Sequence, residues 1–252
     1  GPGRVSVPAL HIPGLQWLID GNGFNLARPS RDILRQALPG HDVVYIHYSL
    51  LLGWGALQVA RELGIPVVFG YHFQPQNILY NLRIDNAWLD KLLLGLFVRK
   101  FYSRAKHVIC PSPHALRELE GCGFSGDASI ITNGLPERYH PEACTRPAEF
   151  EGKFVILMVG RLSHEKRHDV VIKAIQRSKY KDRIKLVATG KGPTEALVKK
   201  WSQSLPVAAD VGYVSEEKLI ALYNTADLMV HASEAELEGM AVLEAIGCGL
   251  PA

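Results

Sequence analysis

The chain has 252 residues, 47% hydrophobic and 21% charged, an ordinary globular composition that excludes intrinsic disorder. Its 28 Lys and Arg residues against 25 Asp and Glu leave a net charge of only +3, so we expect no nucleic-acid partner. The longest apolar stretches, near residues 49–59 and 92–98, are shorter than the roughly 18–20 residues that a membrane span needs.

Short runs rich in Val and Ile alternate along the chain with longer stretches of helical period. The predicted strands are Asp42–His47, Ile65–Gly70, His107–Cys110, Ser129–Thr132, Phe154–Val159, Ile184–Thr189 and Leu228–His231. The predicted helices are Ser49–Leu63, Asn86–Ser103, Pro113–Gly121, His168–Ser178, Pro193–Ser204, Glu216–Thr225 and Met240–Gly247. Apolar strands separated by helices predict βαβ units, and therefore an α/β fold with parallel sheets covered on both faces.

One stretch, residues 141–152, interrupts this alternation with two prolines and no clear period. Such composition is typical of a linker between domains. We therefore predict an N-terminal domain over residues 1–143, a linker over 144–152 and a C-terminal domain over 153–252. The chain lacks an initiating Met and stops just after a helical pattern, so we expect both domains to be incomplete.

The four cysteines, Cys110, Cys122, Cys144 and Cys248, contain no CxxC pair, which argues against a zinc ribbon or a thioredoxin-like site. Such sparse use of cysteine fits a reducing compartment and predicts a cytoplasmic location.

Ligands of open α/β sheets bind at the carboxyl ends of the strands, so the residues that follow each strand are the candidates for a site. Gly160, Arg161 and Lys166 follow one predicted strand. A strand-to-helix turn already favours an anion, and two cations on it suit a diphosphate. The alternative is a pair of solvated surface charges.

Two glutamates, Glu236 and Glu244, flank the start of the last predicted helix. A carboxylate in a cleft accepts hydrogen bonds from sugar hydroxyls, and the backbone amides near Gly239 and Met240 can hold an oxygen-rich group. The alternative is a solvated acidic helix start, where Glu is favoured in any case.

Two sets of histidines are further candidates for a site: His72, and the pair His164 and His168. His72 directly follows a predicted strand, where it could act as an acid or a base, or simply be satisfied within a loop. Residues His164 to His168 match the HExxH signature of zinc peptidases. That signature requires both histidines on one face of a helix, whereas these begin on a strand-end turn and enclose Lys and Arg. We therefore predict no metal site.

Five motifs occur in order in the second half of the chain: Gly160-Arg161-Leu162 with Glu165-Lys166, Gly190-Lys191-Gly192-Pro193, Val211-Gly212-Tyr213-Val214, Ala226-Asp227, and Glu236 to Glu244 with residues 245–251. Together they resemble the donor-binding half of a family 4 glycosyltransferase of GT-B fold. Residues 42–47, 64–68, 71–72, 107–112 and 132–135 resemble the acceptor half of the same family.

The resemblance implies two Rossmann-like domains facing a cleft. It also implies transfer of a sugar from a nucleotide-diphosphate sugar, a UDP-sugar by preference, with retention of anomeric configuration, no essential metal and no other cofactor. By the matching positions, the resemblance implies that Arg161 and Lys166, beside Gly160, bind the diphosphate. It implies that Glu236 and His72 contact the sugar as the catalytic pair. Glu244 would bind the ribose, and the backbone of Gly212, Tyr213 and Val214 would border the base.

The acceptor is indicated by two weaker features. The segment Lys91–Lys106 mixes Leu and Phe with five basic residues, which suits an anionic membrane surface; the alternative is a core helix with extended basic ends. Residues 71–78 and 133–137 look similar to bacterial diacylglycerol glucosyltransferase-like members. Both favour a lipid or cell-envelope glycan acceptor and a peripheral place on the inner face of the plasma membrane.

Two alternative functions stay open. One is a non-catalytic fragment that binds nucleotide without turnover, and the more distant one is a zinc peptidase.

Overall fold

The structure is a computed structural model that describes residues 3–11, 26–75, 79, 84 and 86–252. It divides into two compact units, Gly1–Thr132 and Asn133–Ala252, which we call unit 1 and unit 2. Part of the motif at residues 71–78, namely 76–78, lies outside the described residues. Among the described residues, no helix has the length and apolar character needed to cross a membrane.

Unit 1 contains a parallel sheet of four strands in the order β1-β2-β3-β4. The strands are β1 (Val44–Ile46), β2 (Val67–Gly70), β3 (His107–Cys110) and β4 (Ala128–Ile130), and the helices are α1 (Arg31–Ala37), α2 (Leu51–Glu62), α3 (Ala87–Lys100) and α4 (Pro113–Gly121). Parallel neighbours require a crossover, and helices between successive strands supply it. At the start of α4, the Ser112 hydroxyl accepts a hydrogen bond from the Ala115 amide at 3.1 Å and caps the helix.

Unit 2 contains a second parallel sheet, in the order β7-β6-β5-β8. The strands are β5 (Phe154–Val159), β6 (Ile184–Thr189), β7 (Asp210–Gly212) and β8 (Leu228–Met229), and the helices are α5 (His168–Arg177), α6 (Glu195–Ser202), α7 (Glu216–Thr225) and α8 (Met240–Gly247). The predicted α/β fold with parallel sheets is thus confirmed. Two elements escaped prediction: β7, which is only three residues long, and α1, although Ser30 caps it.

The two faces of the unit 2 sheet bury alternate side chains of the same strands. Val155 and Leu157 of β5 pack into one core, while Ile156 and Met158 pack into the other. A strand buried on both faces reads as a continuous apolar run, which is why the sequence of β5 shows no alternation. Helices therefore cover both faces, and the carboxyl edge of the sheet is left for a ligand.

The predicted linker packs against unit 2. Phe150 lies in one of its cores, and the guanidinium of Arg146 donates to the Asp227 carboxylate at 2.7 Å and to the Thr225 carbonyl at 2.6 Å. The division between the units falls earlier than predicted, between Thr132 and Asn133. The difference arises because proline and acidic residues suggest a spacer, whereas Phe150 and Arg146 supply the contacts that hold the segment in place.

Three glycines close neighbouring strands of unit 2 in the same backbone conformation. Gly160, Gly190 and Gly212 have φ of 145°, 152° and 147°, a region that L side chains rarely adopt. The Gly160 amide donates to the Thr189 carbonyl and the Gly190 amide to the Gly212 carbonyl, each at 3.1 Å. A Cβ at residue 190 would overlap the carbonyl oxygen of Gly160. The ends of these three strands are therefore backbone without side chains, disfavoured at Gly160 and Gly212 by their φ and at Gly190 also by the lack of space.

We expect Gly190→Ala to lower the free energy of unfolding of unit 2 by about 2–5 kcal/mol, because it adds backbone strain to a collision with neighbouring backbone. Gly152→Ala is the matched control, since Gly152 also has positive φ (66°) but a Cβ there meets nothing within 4 Å. That variant should lose only about 1–2 kcal/mol. Urea unfolding followed by circular dichroism measures both, and equal losses would contradict the close approach.

Candidate functional site

A short turn joins β5 to α5 and places two cations on one loop. Leu162, fully buried, anchors the turn, and a 3₁₀ helix over His164–Lys166 follows it. The Arg161 guanidinium donates to Glu165 Oε1 at 3.1 Å, and the Ser163 hydroxyl donates to the same oxygen. Burial alone would raise the pKa of Glu165, but the bonds from Ser163 and Arg161 hold that pKa below its usual range. Glu165 therefore stays charged and fixes Arg161.

The acidic loop between β8 and α8 contacts this turn through Glu236. Lys166 Nζ and His231 Nε2 both bond to Glu236 Oε1, the histidine at 3.0 Å. Burial would raise the pKa of Glu236, but the hydrogen bond from His231 and the charge of Lys166 outweigh it and lower that pKa. The structure thus brings together two residues predicted to serve the same ligand, Lys166 and Glu236.

A second contact ties the acidic loop to the same turn. Arg167 lies between the 3₁₀ helix and α5 in the left-handed conformation, with φ of 49°. Its guanidinium pairs with Glu234 and with Asp169, and the Glu234 amide donates to the Glu165 carbonyl at 2.9 Å. A non-glycine residue in this conformation is strained, so its surroundings must hold it there. Arg167 and Glu234 therefore join the two loops into one assembly.

Glu238, the third glutamate of the acidic loop, contacts Asn133 and not the turn after β5. Its Oε2 accepts hydrogen bonds from the backbone amide and the side-chain amide of Asn133, both at 2.8 Å. The three glutamates of the acidic loop thus have three different partners, and Glu236 is the one paired with Lys166.

Glu244 lies inside α8 in different surroundings. The Tyr223 hydroxyl donates to its Oε2 at 2.8 Å, and Tyr139 also bonds to it. Burial raises the pKa of Glu244 above its usual range, because these bonds and the charge of Arg138 do not fully offset the loss of solvent. The two predicted glutamates therefore sit in environments that shift their pKa values in opposite directions.

The end of β7 supplies the segment predicted to border a base. Gly212 closes the strand, and the Tyr213 ring beyond it is largely exposed. The ammonium of Lys191 stands 4.1 Å from the centre of that ring. A cation over an aromatic face is a favourable contact, so Lys191 and Tyr213 form one rim of the bare carboxyl edge.

The HExxH match does not form a helical face. His164 lies in the 3₁₀ helix and His168 begins α5, with the left-handed Arg167 between them. Burial lowers the pKa of His168 to about 4, so that ring stays neutral. Within the described ranges, no three His, Cys, Asp or Glu side chains are grouped as metal ligands. This geometry does not fit the zinc-peptidase alternative.

In unit 1, His72 follows β2 beside two aromatic residues from the end of β1. Its Nε2 lies 3.0 Å from the Tyr45 hydroxyl, and its ring stacks on His47 with centroids 4.3 Å apart. A Cβ at Gly70 would collide with His72 and Tyr45, so glycine there makes room for the pair. Tyr45 and His47 therefore hold the His72 ring at the carboxyl edge of the unit 1 sheet.

Sequence reasoning assigned no role to several residues that the structure places in or beside the two candidate edges. They are Tyr45 and His47 in unit 1, and Tyr139, Arg167, Lys191, Tyr223 and His231 in unit 2. Those near a strand end, namely Tyr45, His47, Lys191 and His231, had their position as a signal, whereas Tyr139, Arg167 and Tyr223 had none.

Two family models match the chain, one for each half. The model described as Glycosyltransferase Family 4 matches residues 4–138, and the model described as Glycosyl transferases group 1 matches residues 142–252.

Curated relatives and solved structures agree with these matches. The alpha-monoglucosyldiacylglycerol synthase of Streptococcus pneumoniae is 26% identical over 83% of this chain and 51% of its own length. A GDP-mannose-dependent alpha-mannosyltransferase of Mycolicibacterium smegmatis is 28% identical over 83% and 54%. The chain therefore spans about half the length of these curated relatives. The crystal structure of Anabaena Alr3699/HepE with UDP and glucose has a TM-score of 0.68 at 18% identity, over 88% of this chain and 61% of that one, which shows a shared fold.

We expect the two glutamates to affect stability in opposite directions at pH 7. Glu236→Gln should lower the free energy of unfolding by about 1–3 kcal/mol, since it removes a charged acceptor from Lys166 and His231. Glu244→Gln should raise it, because glutamine accepts from Tyr223 without the cost of a buried charge.

The pH dependence checks the sign of each effect. A lowered pKa means that the contribution of Glu236 is present above the ordinary glutamate pKa and is lost as pH falls through the lowered pKa. A raised pKa means that the cost of Glu244 disappears as pH falls through the raised pKa. Urea unfolding from about pH 2 to pH 8 measures both, and a destabilised Glu244→Gln at neutral pH would contradict this description.

Proposed function

This chain belongs to glycosyltransferase family 4, and from that premise we propose that it moves a sugar from a nucleotide-diphosphate sugar to a lipid or cell-envelope glycan, with retention of configuration. The observation that carries the proposal is the pairing of Lys166 with Glu236 beside Arg161 at the carboxyl edge of unit 2. The pairing supports the proposal because the cation proposed for the diphosphate and the carboxylate proposed for the sugar lie side by side, and in the donor the sugar and the diphosphate are directly bonded.

The cations are proposed to hold the leaving group. Charge develops on the diphosphate oxygens as the bond to the sugar breaks, and donors fixed beforehand stabilise that charge without reorganising. Arg161 is fixed by Glu165, and Lys166 stands on the same turn. The two cations take the role that a divalent ion has in other transferases, so we propose a metal-independent reaction with no cofactor besides the donor.

The carboxylates are proposed to bind the two ends of the donor. Glu236 stays ionised and accepts from sugar hydroxyls, while Glu244 accepts from the ribose. The backbone of Gly212, Tyr213 and Val214 borders the base, and the amides of Gly239 and Met240 at the start of α8 hold an oxygen-rich group. The relative from M. smegmatis is named for GDP-mannose and the HepE structure contains UDP, so we propose UDP and GDP donors as the two to test.

For the chemical step, we propose that the sugar leaves and the acceptor enters on one face. The acceptor hydroxyl bonds to the anomeric carbon as the bond to the diphosphate oxygen breaks, and a leaving phosphate oxygen takes the hydroxyl proton. The same face is used throughout, so the configuration is retained. His72, whose ring is held by Tyr45 and His47, is proposed as a catalytic residue that bonds to the sugar.

Helix α3 exposes apolar and basic side chains that favour a lipid acceptor. Its residues Trp88, Leu92 and Leu96 recur every fourth position and are 69%, 45% and 43% exposed, while Leu94 and Val98 are buried. Lys91 and Arg99 are exposed on the same helix. The alternative of a core helix does not explain this exposed apolar stripe. We propose that α3 lies on an anionic membrane surface, on the inner face of the plasma membrane, as suits a chain similar to an alpha-monoglucosyldiacylglycerol synthase.

Donor binding is tested by calorimetry with UDP and GDP. We expect Arg161→Ala to weaken whichever nucleotide the parent chain binds by about 10- to 150-fold, since it removes a charge-assisted contact worth about 1.5–3 kcal/mol. Lys173→Ala is the matched control, because Lys173 is an exposed cation of α5 paired with Asp169. Equal nucleotide affinity in the parent chain, Arg161→Ala and Lys173→Ala would contradict the proposed diphosphate site.

The same titrations separate the glutamates. Glu236→Gln should leave nucleotide binding nearly unchanged and weaken the nucleotide sugar, whereas Glu244→Gln should weaken both by about 5- to 150-fold. Binding without turnover in an acceptor assay would favour the alternative of a non-catalytic nucleotide-binding fragment.

Membrane binding is tested by co-sedimentation with vesicles. We expect the chain to bind vesicles that contain phosphatidylglycerol, and the double variant Lys91→Glu/Arg99→Glu to bind them at least about 10-fold less. The double variant Leu92→Ser/Leu96→Ser should also bind less, while Leu63→Ser, an exposed leucine outside α3, serves as the control. Equal binding to neutral phosphatidylcholine vesicles, or a loss in the control, would contradict an anionic surface at α3.

A further inference from the structure

Two groups compete for the Lys166 ammonium: the Glu236 carboxylate and the proposed donor diphosphate. In the structure this ammonium pairs with the Glu236 carboxylate. The proposed function also requires it at the donor diphosphate, whose charge competes for the same ammonium. When a diphosphate draws Lys166 toward itself, Glu236 loses much of its attraction to that cation and needs another group to keep its orientation.

His231 is the other group in contact with Glu236. Its Nε2 lies 3.0 Å from Glu236 Oε1, and its side chain is only 19% exposed. The preceding residue, Val230, donates its amide to the Leu157 carbonyl at 2.9 Å, so the backbone that carries the ring is tied to β5. His231 is therefore fixed by the sheet and not by the acidic loop that it contacts.

The hydrogen bond defines which oxygen of Glu236 is free to bind a ligand. A carboxylate only accepts, so the proton in this contact must be on His231 Nε2, in the neutral or the charged ring. In the described part of the chain, the contacts of the Glu236 carboxylate with Lys166 and His231 both use Oε1. Oε2 is then the oxygen presented to a sugar hydroxyl.

We infer that His231 is a positioning residue, whose Nε2–H keeps the Glu236 carboxylate aimed at the donor sugar while Lys166 binds the diphosphate. The inference rests on the proposed function. It predicts that loss of His231 affects recognition of the sugar and spares recognition of the nucleotide.

The first test needs no ligand. Carbon-13 NMR titration of the Glu236 carboxyl in the free chain reports its pKa, and the titratable groups facing it are Lys166 and His231. We expect His231→Ala to raise that pKa toward the ordinary glutamate value. His231→Gln, which keeps an N–H donor of similar reach, should hold it low. The control is His140→Ala, an exposed histidine of unit 2 whose ring contacts its neighbour Pro141.

The second test measures preference for the sugar. Calorimetry compares UDP-glucose with UDP, and GDP-mannose with GDP, for each variant. We expect His231→Ala to reduce the preference for the nucleotide sugar by about 5- to 20-fold with nucleotide affinity unchanged, and His231→Gln to restore most of it. A purely structural role would weaken nucleotide and nucleotide sugar alike and would not be rescued.

The outcomes separate the inference from the proposed function. A parent chain that binds none of these four compounds contradicts the donor site, and the NMR titration then still decides whether His231 controls Glu236. An unmoved Glu236 pKa in His231→Ala overturns the inference whatever the chain binds. Equal weakening of nucleotide and nucleotide sugar overturns it while leaving the donor site standing.

Discussion

The ion pair between Lys166 and Glu236 is the contact around which the candidate site of unit 2 is arranged. It joins the turn after β5 to the loop before α8, two segments far apart in sequence that meet because β5 and β8 are paired strands. A partly buried pair of this kind adds little net stability, since desolvation consumes most of the attraction. Its value lies in specificity, because it fixes which of three nearby glutamates faces the cation.

The two predicted glutamates show how differently one residue type is used along eight positions. Glu236 is held charged by donors, whereas Glu244 is pressed toward its neutral form by burial. Burying a carboxylate with a raised pKa costs stability, and a fold selected for stability alone would not keep it. Keeping a glutamate inside α8 is the sort of local conflict expected where a ligand is bound.

Much of the fold and of the candidate site could be predicted, and the reasons are specific. Strands such as β5 and β6 are long apolar runs, and helices such as α4 carry readable caps. The sequence predicted that Lys166 and Glu236 bind the same donor, but it did not predict that the two side chains contact each other. Tyr223 could not be found, and the partner of His231 could not be predicted, because a lone Tyr or His gives no sign of the carboxylate that it will contact. Likewise, Phe150 gave no sign that the predicted linker packs into a core.

The glycine-closed edge of unit 2 limits how this protein can diverge. Where neighbouring strand ends touch through backbone alone, mutation has almost no accessible alternatives, since any side chain at Gly190 strikes the Gly160 carbonyl. The backbone beneath the proposed donor site is therefore constrained in shape. Change must come from residues that stand over it, such as Lys191 and Tyr213, whose contact is exposed and tolerant. A lineage of such proteins can therefore acquire new ligand preferences one rim residue at a time, without rebuilding the sheet.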